Sequence, residues 1–139
     1  MSDQSGVWLA MFHRERLPSL DDVAREFRTL KNIDVVKTDQ QTLVATVHDA
    51  LTGNAADITV GLNLESHVVL ESDEFASEHA GERPDRDDIA RMDARFELVW
   101  DLEYSDETYN PLLFMAEILH KMCGAVTFDT LTGQFIFDE

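Results

Sequence analysis

The sequence predicts an α+β domain in which an antiparallel sheet carries two main helices packed on one face. Three observations predict it. Apolar residues recur at helical spacing in two separated stretches, 20–32 and 112–123. β-branched runs and strict alternation fill much of the remaining chain. The order of these signals is strand, helix, several strands, a short helical region, strand, helix and hairpin, which places strands next to strands rather than in a regular β-α alternation.

Residues 7–13 (Val-Trp-Leu-Ala-Met-Phe-His) are apolar at almost every position, the pattern of a central strand covered on both faces. Pro18 then breaks the chain. Ser19 offers an N-cap with Asp22 three residues on, and Leu20, Val23, Ala24, Phe27 and Leu30 predict an amphipathic helix running to Asn32. Its outer face, with Asp21, Arg25, Glu26, Arg28 and Lys31, mixes signs and reads as solvated. Residues 33–38 and 42–48 predict a hairpin around Asp39-Gln40-Gln41, and a turn at Leu51-Thr52-Gly53-Asn54 leads to a half-buried strand over 58–64.

Residues 66–70 fit either a strand extension or a packed loop, with Ser72 capping a short helix that Gly81 ends. Residues 81–88 have no apolar side chain except Pro84, so they predict a surface connection, and Asp85 with Asp88 three residues on starts a helical turn carrying Ile89, Ala90 and Met92. Phe96, Leu98, Trp100, Leu102 and Tyr104 alternate with Glu97, Val99, Asp101 and Glu103, predicting a strand over 96–104 and a polar link over 105–107.

The stretch around which the chain is organised follows. Asn110 caps, and Pro111 starts, a helix whose broad apolar face carries Leu112, Met115, Ala116, Leu119, Met122 and Cys123, widened by Phe114 and Ile118. Gly124 supplies a left-handed C-cap, and 125–129 with 134–137 form a closing hairpin around 130–133. This order resembles an elaborated ferredoxin-like superfold. The resemblance is topological, spans most of the chain and implies no activity, because that superfold hosts many unrelated functions.

A chain of 139 residues fits one domain, 1–139, with a single core. No apolar run approaches the roughly 20 residues that cross a bilayer, and the first six residues lack the features of a secretory signal, so a cytoplasmic protein is expected. Twenty-eight acidic residues against 11 basic ones give a net charge of −17. Charge of that size repels nucleic-acid backbones and anionic membranes and attracts a basic protein partner; it also serves solubility or a salty cytoplasm. The single cysteine, Cys123, closes no intramolecular disulfide and lies on a buried helix face, where a thiol packs rather than reacts.

Nucleophile motifs, phosphate-cradling glycine loops and clustered cysteines are absent, and no cofactor is implied. Three groupings remain. Glu71, Asp73, Glu74, Glu78, Glu82, Asp85, Asp87 and Asp88 form the densest acidic stretch, suited to a cationic partner. Glu74, Glu78, His79 and Glu82 have the spacing of one helix side for a divalent metal, a pattern that 28 acids also produce by chance, and no metal is expected there. His48, with Glu97, Asp101 or Glu103 brought from a neighbouring strand, would give a histidine–carboxylate pocket.

The resulting expectation is a non-catalytic interaction module of inhibitor, antitoxin or toxin-immunity type. The alternative is a small-ligand or divalent-metal-dependent enzyme built on His48 and its strand carboxylates. The second face of 7–13 needs cover beyond two helices on one side, so the extra hairpins fold over it or two copies bury it; monomer and homodimer are equally expected.

Overall fold

The computed structural model describes residues 4–136. Its strands are β1 (Ser5–Phe12), β2 (Ile33–Lys37), β3 (Thr42–His48), β4 (Ala55–Asn63), β5 (Ala94–Asp101), β6 (Val126–Asp129) and β7 (Gln134–Phe135). The helices are α1 (Leu20–Phe27), α2 (His67–His79), the single turn α3 (Arg86–Ile89) and α4 (Ser105–Cys123). All seven strands join one sheet in the order β2-β3-β4-β5-β1-β6-β7, and each neighbouring pair is antiparallel.

The middle of this sheet, β4-β5-β1-β6, has α1 on the path from β1 to β4 and α4 on the path from β5 to β6. That arrangement resembles the ferredoxin-like βαββαβ order. Three additions elaborate it. The β2–β3 hairpin enters after α1 and widens the sheet, β7 widens the opposite edge, and α2 with α3 occupies the connection between β4 and β5.

Side-chain alternation divides the core in two. On one face Trp8, Ala10, Phe12, Leu43, Ala45, Ile58, Val60, Phe96, Leu98 and Trp100 pack under α1 and α4. The covering residues are Val23, Ala24 and Phe27 of α1, with Leu112, Met115, Ala116, Leu119 and Cys123 of α4. On the other face Leu9, Met11 and Phe128 pack under Ala76, Ala80, Ile89 and Met92. The cover for the second face of β1 therefore comes from α2 and α3 of the same chain. Neither a folded-over hairpin nor a second copy is required for it.

Local chemistry explains where the elements begin and end. Ser19 accepts a hydrogen bond from the Asp22 amide and caps α1 as the sequence predicts. The helix closes at Phe27, five residues before the expected Asn32, which itself adopts φ 62° and turns the chain into β2. Strand β5 stops at Asp101 rather than Tyr104, because the Asp101 carboxylate accepts from the Glu103 amide and bends Leu102–Tyr104 into a 3-10 turn. Strand β4 starts at Ala55, ahead of the expected Ile58.

Two helices depart further from expectation. The run Val68-Val69-Leu70 lies inside α2, and Ser72 is a buried mid-helix residue whose Oγ donates to Met11 Sδ at 3.6 Å, not a cap. The buried stripe of α2 is Val68, Ser72 and Ala76, too narrow and too small to read as an amphipathic face. Helix α4 starts at Ser105, so 105–107 is its first turn and Pro111 lies in its interior instead of at its start. Proline there removes the amide that would bond the Glu107 carbonyl, yet Thr108 is buried and ties its hydroxyl to the Tyr104 carbonyl at 3.0 Å, holding the preceding turn helical. Phe114 does not widen the buried face; it stands 53% exposed.

At the other end of α4, Gly124 takes φ 71° and donates to the His120 carbonyl, the left-handed cap that the sequence predicts. A side chain at Gly124 would also press on the Arg16 guanidinium, whose Cζ lies 3.2 Å from the position of a Cβ. The closing hairpin forms around a turn in which Gly133 has φ 72°; Phe137, expected in its last strand, lies outside the described residues. No helix among the described residues is long and apolar enough to cross a membrane.

Candidate functional site

His48 is the last residue of β3, and its side chain leaves the sheet on the same side as Thr46. Its Nε2 lies 2.8 Å from Asp34 Oδ2, so the carboxylate beside it comes from β2 and not from β5. Glu97 is in register with Gly61, which pairs with Thr42 at the far end of β3, about 20 Å from His48 at the usual rise per residue. The Asp101 carboxylate is occupied by the Glu103 amide. Asp101, one residue beyond Trp100, has β4 between it and β3, so the expected grouping of His48 with Glu97 and Asp101 is replaced by the pair His48–Asp34.

Glu97 belongs instead to a network that sequence reasoning missed. Arg95 is 7% exposed, on the α2 side of β5. Its Nε donates to Glu97 Oε2 at 2.8 Å and its Nη1 to Glu71 Oε1 at 2.6 Å, while Asn63 Nδ2 donates to the same Glu97 oxygen at 3.0 Å. A guanidinium this far from water needs such partners, and the pairing ties α2 to the sheet. The available signal was Arg95 and Glu97 two residues apart on one strand face; the third member, Glu71, has no sequence link to them.

The metal candidates do not gather either. Glu74 and Glu78 point outward from α2, Glu82 lies in the following loop, and the His79 ring packs on Phe128 with centroids 5.2 Å apart. His79 Nε2 is 3.7 Å from Glu78 Oε2. Among the described residues no group of three or more His, Cys, Asp or Glu side chains is arranged to hold a metal ion.

The acidic stretch splits into two sets. Glu71, Asp85 and Asp88 are committed to internal pairs with Arg95, Arg83 and His13. Asp73, Glu74, Glu78, Glu82 and Asp87 are exposed on α2, α3 and the loop between them, and no lysine or arginine among the described residues is paired with any of them. Their field is left open to solvent.

A separate groove of about 530 Å³ lies at the opposite edge of the fold, between the start of β2, the β3–β4 loop and the first half of α4. Ile33, Val47, Pro111 and Phe114 are among its walls, and Asp49, Asp106 and Glu107 carry its charge with Lys31. His48 lines it too, at the end of β3, with Asp34 beside its ring.

Cys123 is buried, and its Sγ donates to the Leu119 carbonyl at 3.2 Å. Burial pushes its thiol up from 9.0 to about 11, against smaller lowering influences from the Ala125 backbone and Arg16. The native thiol is expected to stay unlabelled by a disulfide reagent at pH 8 and to react on unfolding. Because the folded pKa is the higher one, this contribution to stability is complete below pH 9 and is lost as pH rises towards 11. Cys123→Ala is expected to remove that part of the alkaline slope in denaturant titrations; an unchanged slope, or fast native labelling, would contradict the burial.

Comparison of the chain with protein-family models, with curated proteins and with solved structures found no match.

Proposed function

We propose that this chain is a non-catalytic interaction module, of inhibitor, antitoxin or toxin-immunity type, that docks a basic protein partner. The observation that carries this reading is the set Asp73, Glu74, Glu78, Glu82 and Asp87, exposed and paired with no lysine or arginine among the described residues, on a chain of net charge −17. Long-range attraction of this kind speeds encounter with a cationic protein and repels nucleic acid. An enzyme built on His48 would have to use Asp34 rather than Glu97, which lies at the far end of the strands. A single buried thiol suits a reducing cytoplasm.

The test is affinity capture from host extract at low and at raised salt, followed by mass spectrometry. Wild type is expected to retain a basic protein that the triple reversal Glu74→Lys, Glu78→Lys, Glu82→Lys loses, with the melting temperature of the variant nearly unchanged because all three side chains are exposed. Recovery of no basic protein by the wild type would oppose the proposal.

A further inference from the structure

We infer that the groove between the β3–β4 loop and α4 is an anchoring site for a basic protein segment that carries an aliphatic or aromatic side chain between its cationic ones; the charge of this partner rests on the function proposed above. The groove lies on the α4 side of the sheet, away from the acids of α2 and α3, so it is a second surface with its own chemistry.

Its most exposed apolar residue is Leu51, 97% accessible at the tip of the loop. That exposure is imposed by a built turn. The Leu51 amide donates to Asp49 Oδ1 at 2.8 Å, the Gly53 amide to the Asp49 carbonyl at 2.9 Å, and the Asp49 amide to the Asn54 carbonyl at 2.9 Å. Gly53 supplies the φ of 76° that this closure needs. Asn54 Nδ2 then donates to Glu107 Oε2 at 3.3 Å, tying the loop to the first turn of α4. Leu51 is therefore held where a partner would meet it, and little ordering of the loop remains to oppose binding.

Across the groove α4 presents Phe114, 53% exposed, beside Pro111. An exposed leucine and phenylalanine facing one concavity give the apolar anchors that charge alone cannot supply. The lining also fixes the sign of the occupant. Asp49, Asp106 and Glu107 stand against the ammonium of Lys31 and the ring of His48, which has Asp34 beside it, and no lysine or arginine among the described residues is paired with those three acids. An acidic segment would meet net repulsion there, and a purely apolar one would leave the carboxylates unused, whereas a segment alternating basic and apolar residues satisfies both.

The experiment is a titration of the isotopically labelled protein, followed by amide NMR shifts, with an alternating arginine–leucine octapeptide, its arginine–glycine counterpart and its glutamate–leucine counterpart. The arginine–leucine peptide is expected to bind saturably with shifts centred on the β3–β4 loop and the first half of α4. The other two peptides should bind at least about tenfold more weakly. Leu51→Ser and Phe114→Ser, both surface changes, should each raise its Kd at least about fivefold with the dispersed spectrum of the folded protein retained. Equal affinity for the arginine–glycine or the glutamate–leucine peptide, indifference to both substitutions, or shifts centred on α2 and α3 would overturn the groove as the anchor while leaving the acidic module standing. No saturable binding of either cationic peptide would overturn both readings.

Discussion

Leu119→Ala is expected to destabilise the fold by roughly 2 to 5 kcal/mol. Leu119 is fully buried near the C-terminal end of α4, between Met115 and Cys123 on the face that packs against the central strands. Alanine removes the buried methyl groups, and the surrounding side chains, fixed by a rigid sheet on one side and α1 on the other, relax only in part. The loss combines reduced burial with the cavity left behind, which is why the range is wide. Urea unfolding provides the check: the midpoint should fall with little change in slope. An unchanged midpoint would show that α4 is not the main wall of this core.

Gly6→Ala is expected to cost about 1 to 3 kcal/mol, through crowding rather than loss of contact. Gly6 is buried in β1 opposite Trp100 of β5, and a methyl built on it falls within the Trp100 indole. The ring has little room to yield. It is 7% exposed, packs edge-on to Trp8 with centroids 5.8 Å apart, and donates from Nε1 to Ser105 Oγ at 3.3 Å. Displacing it disturbs the sheet, the Trp8 contact and the start of α4 together. A decrease in the urea midpoint with altered tryptophan fluorescence is the expected result; a variant as stable as wild type would mean that the indole does not lie over Gly6.

These two positions also separate what the sequence disclosed from what it did not. Leu119 was legible because the spacing of Leu112, Met115, Ala116 and Cys123 around it is a local property of one helix. The Ser19 cap, the bounds of β3 and the left-handed Gly124 were legible for the same reason, each being decided within a few residues. Gly6 was not, since its role depends on the register between β1 and β5, 94 positions apart at the pair Gly6 and Trp100.

The errors follow the same division. Val68-Val69-Leu70 carries strand propensity locally, and burial of Val68, Ser72 and Ala76 along one side of α2 overrides it. Pro111 reads as a helix start, and buried Thr108 carries the helix one turn and more ahead of it. His48 was the right histidine to find beside a carboxylate, but the carboxylate is Asp34, because β2 and not β5 is its neighbour on that side. The eight-acid stretch was legible as composition. Its division into three paired acids and five exposed ones was not, since Arg95 of β5 and His13, just past β1, are distant in sequence from the acids they meet.

The most direct measurement of the central claim is stopped-flow association of this protein with the basic partner recovered by capture, across a series of salt concentrations. Attraction of open carboxylates for a cationic protein acts over about 8 to 10 Å at physiological salt and governs encounter, whereas close packing governs release. The association rate is therefore predicted to fall steeply as salt rises, with the dissociation rate nearly constant, and the reversals at Glu74, Glu78 and Glu82 should flatten that dependence. An association rate indifferent both to salt and to the reversals would contradict the account.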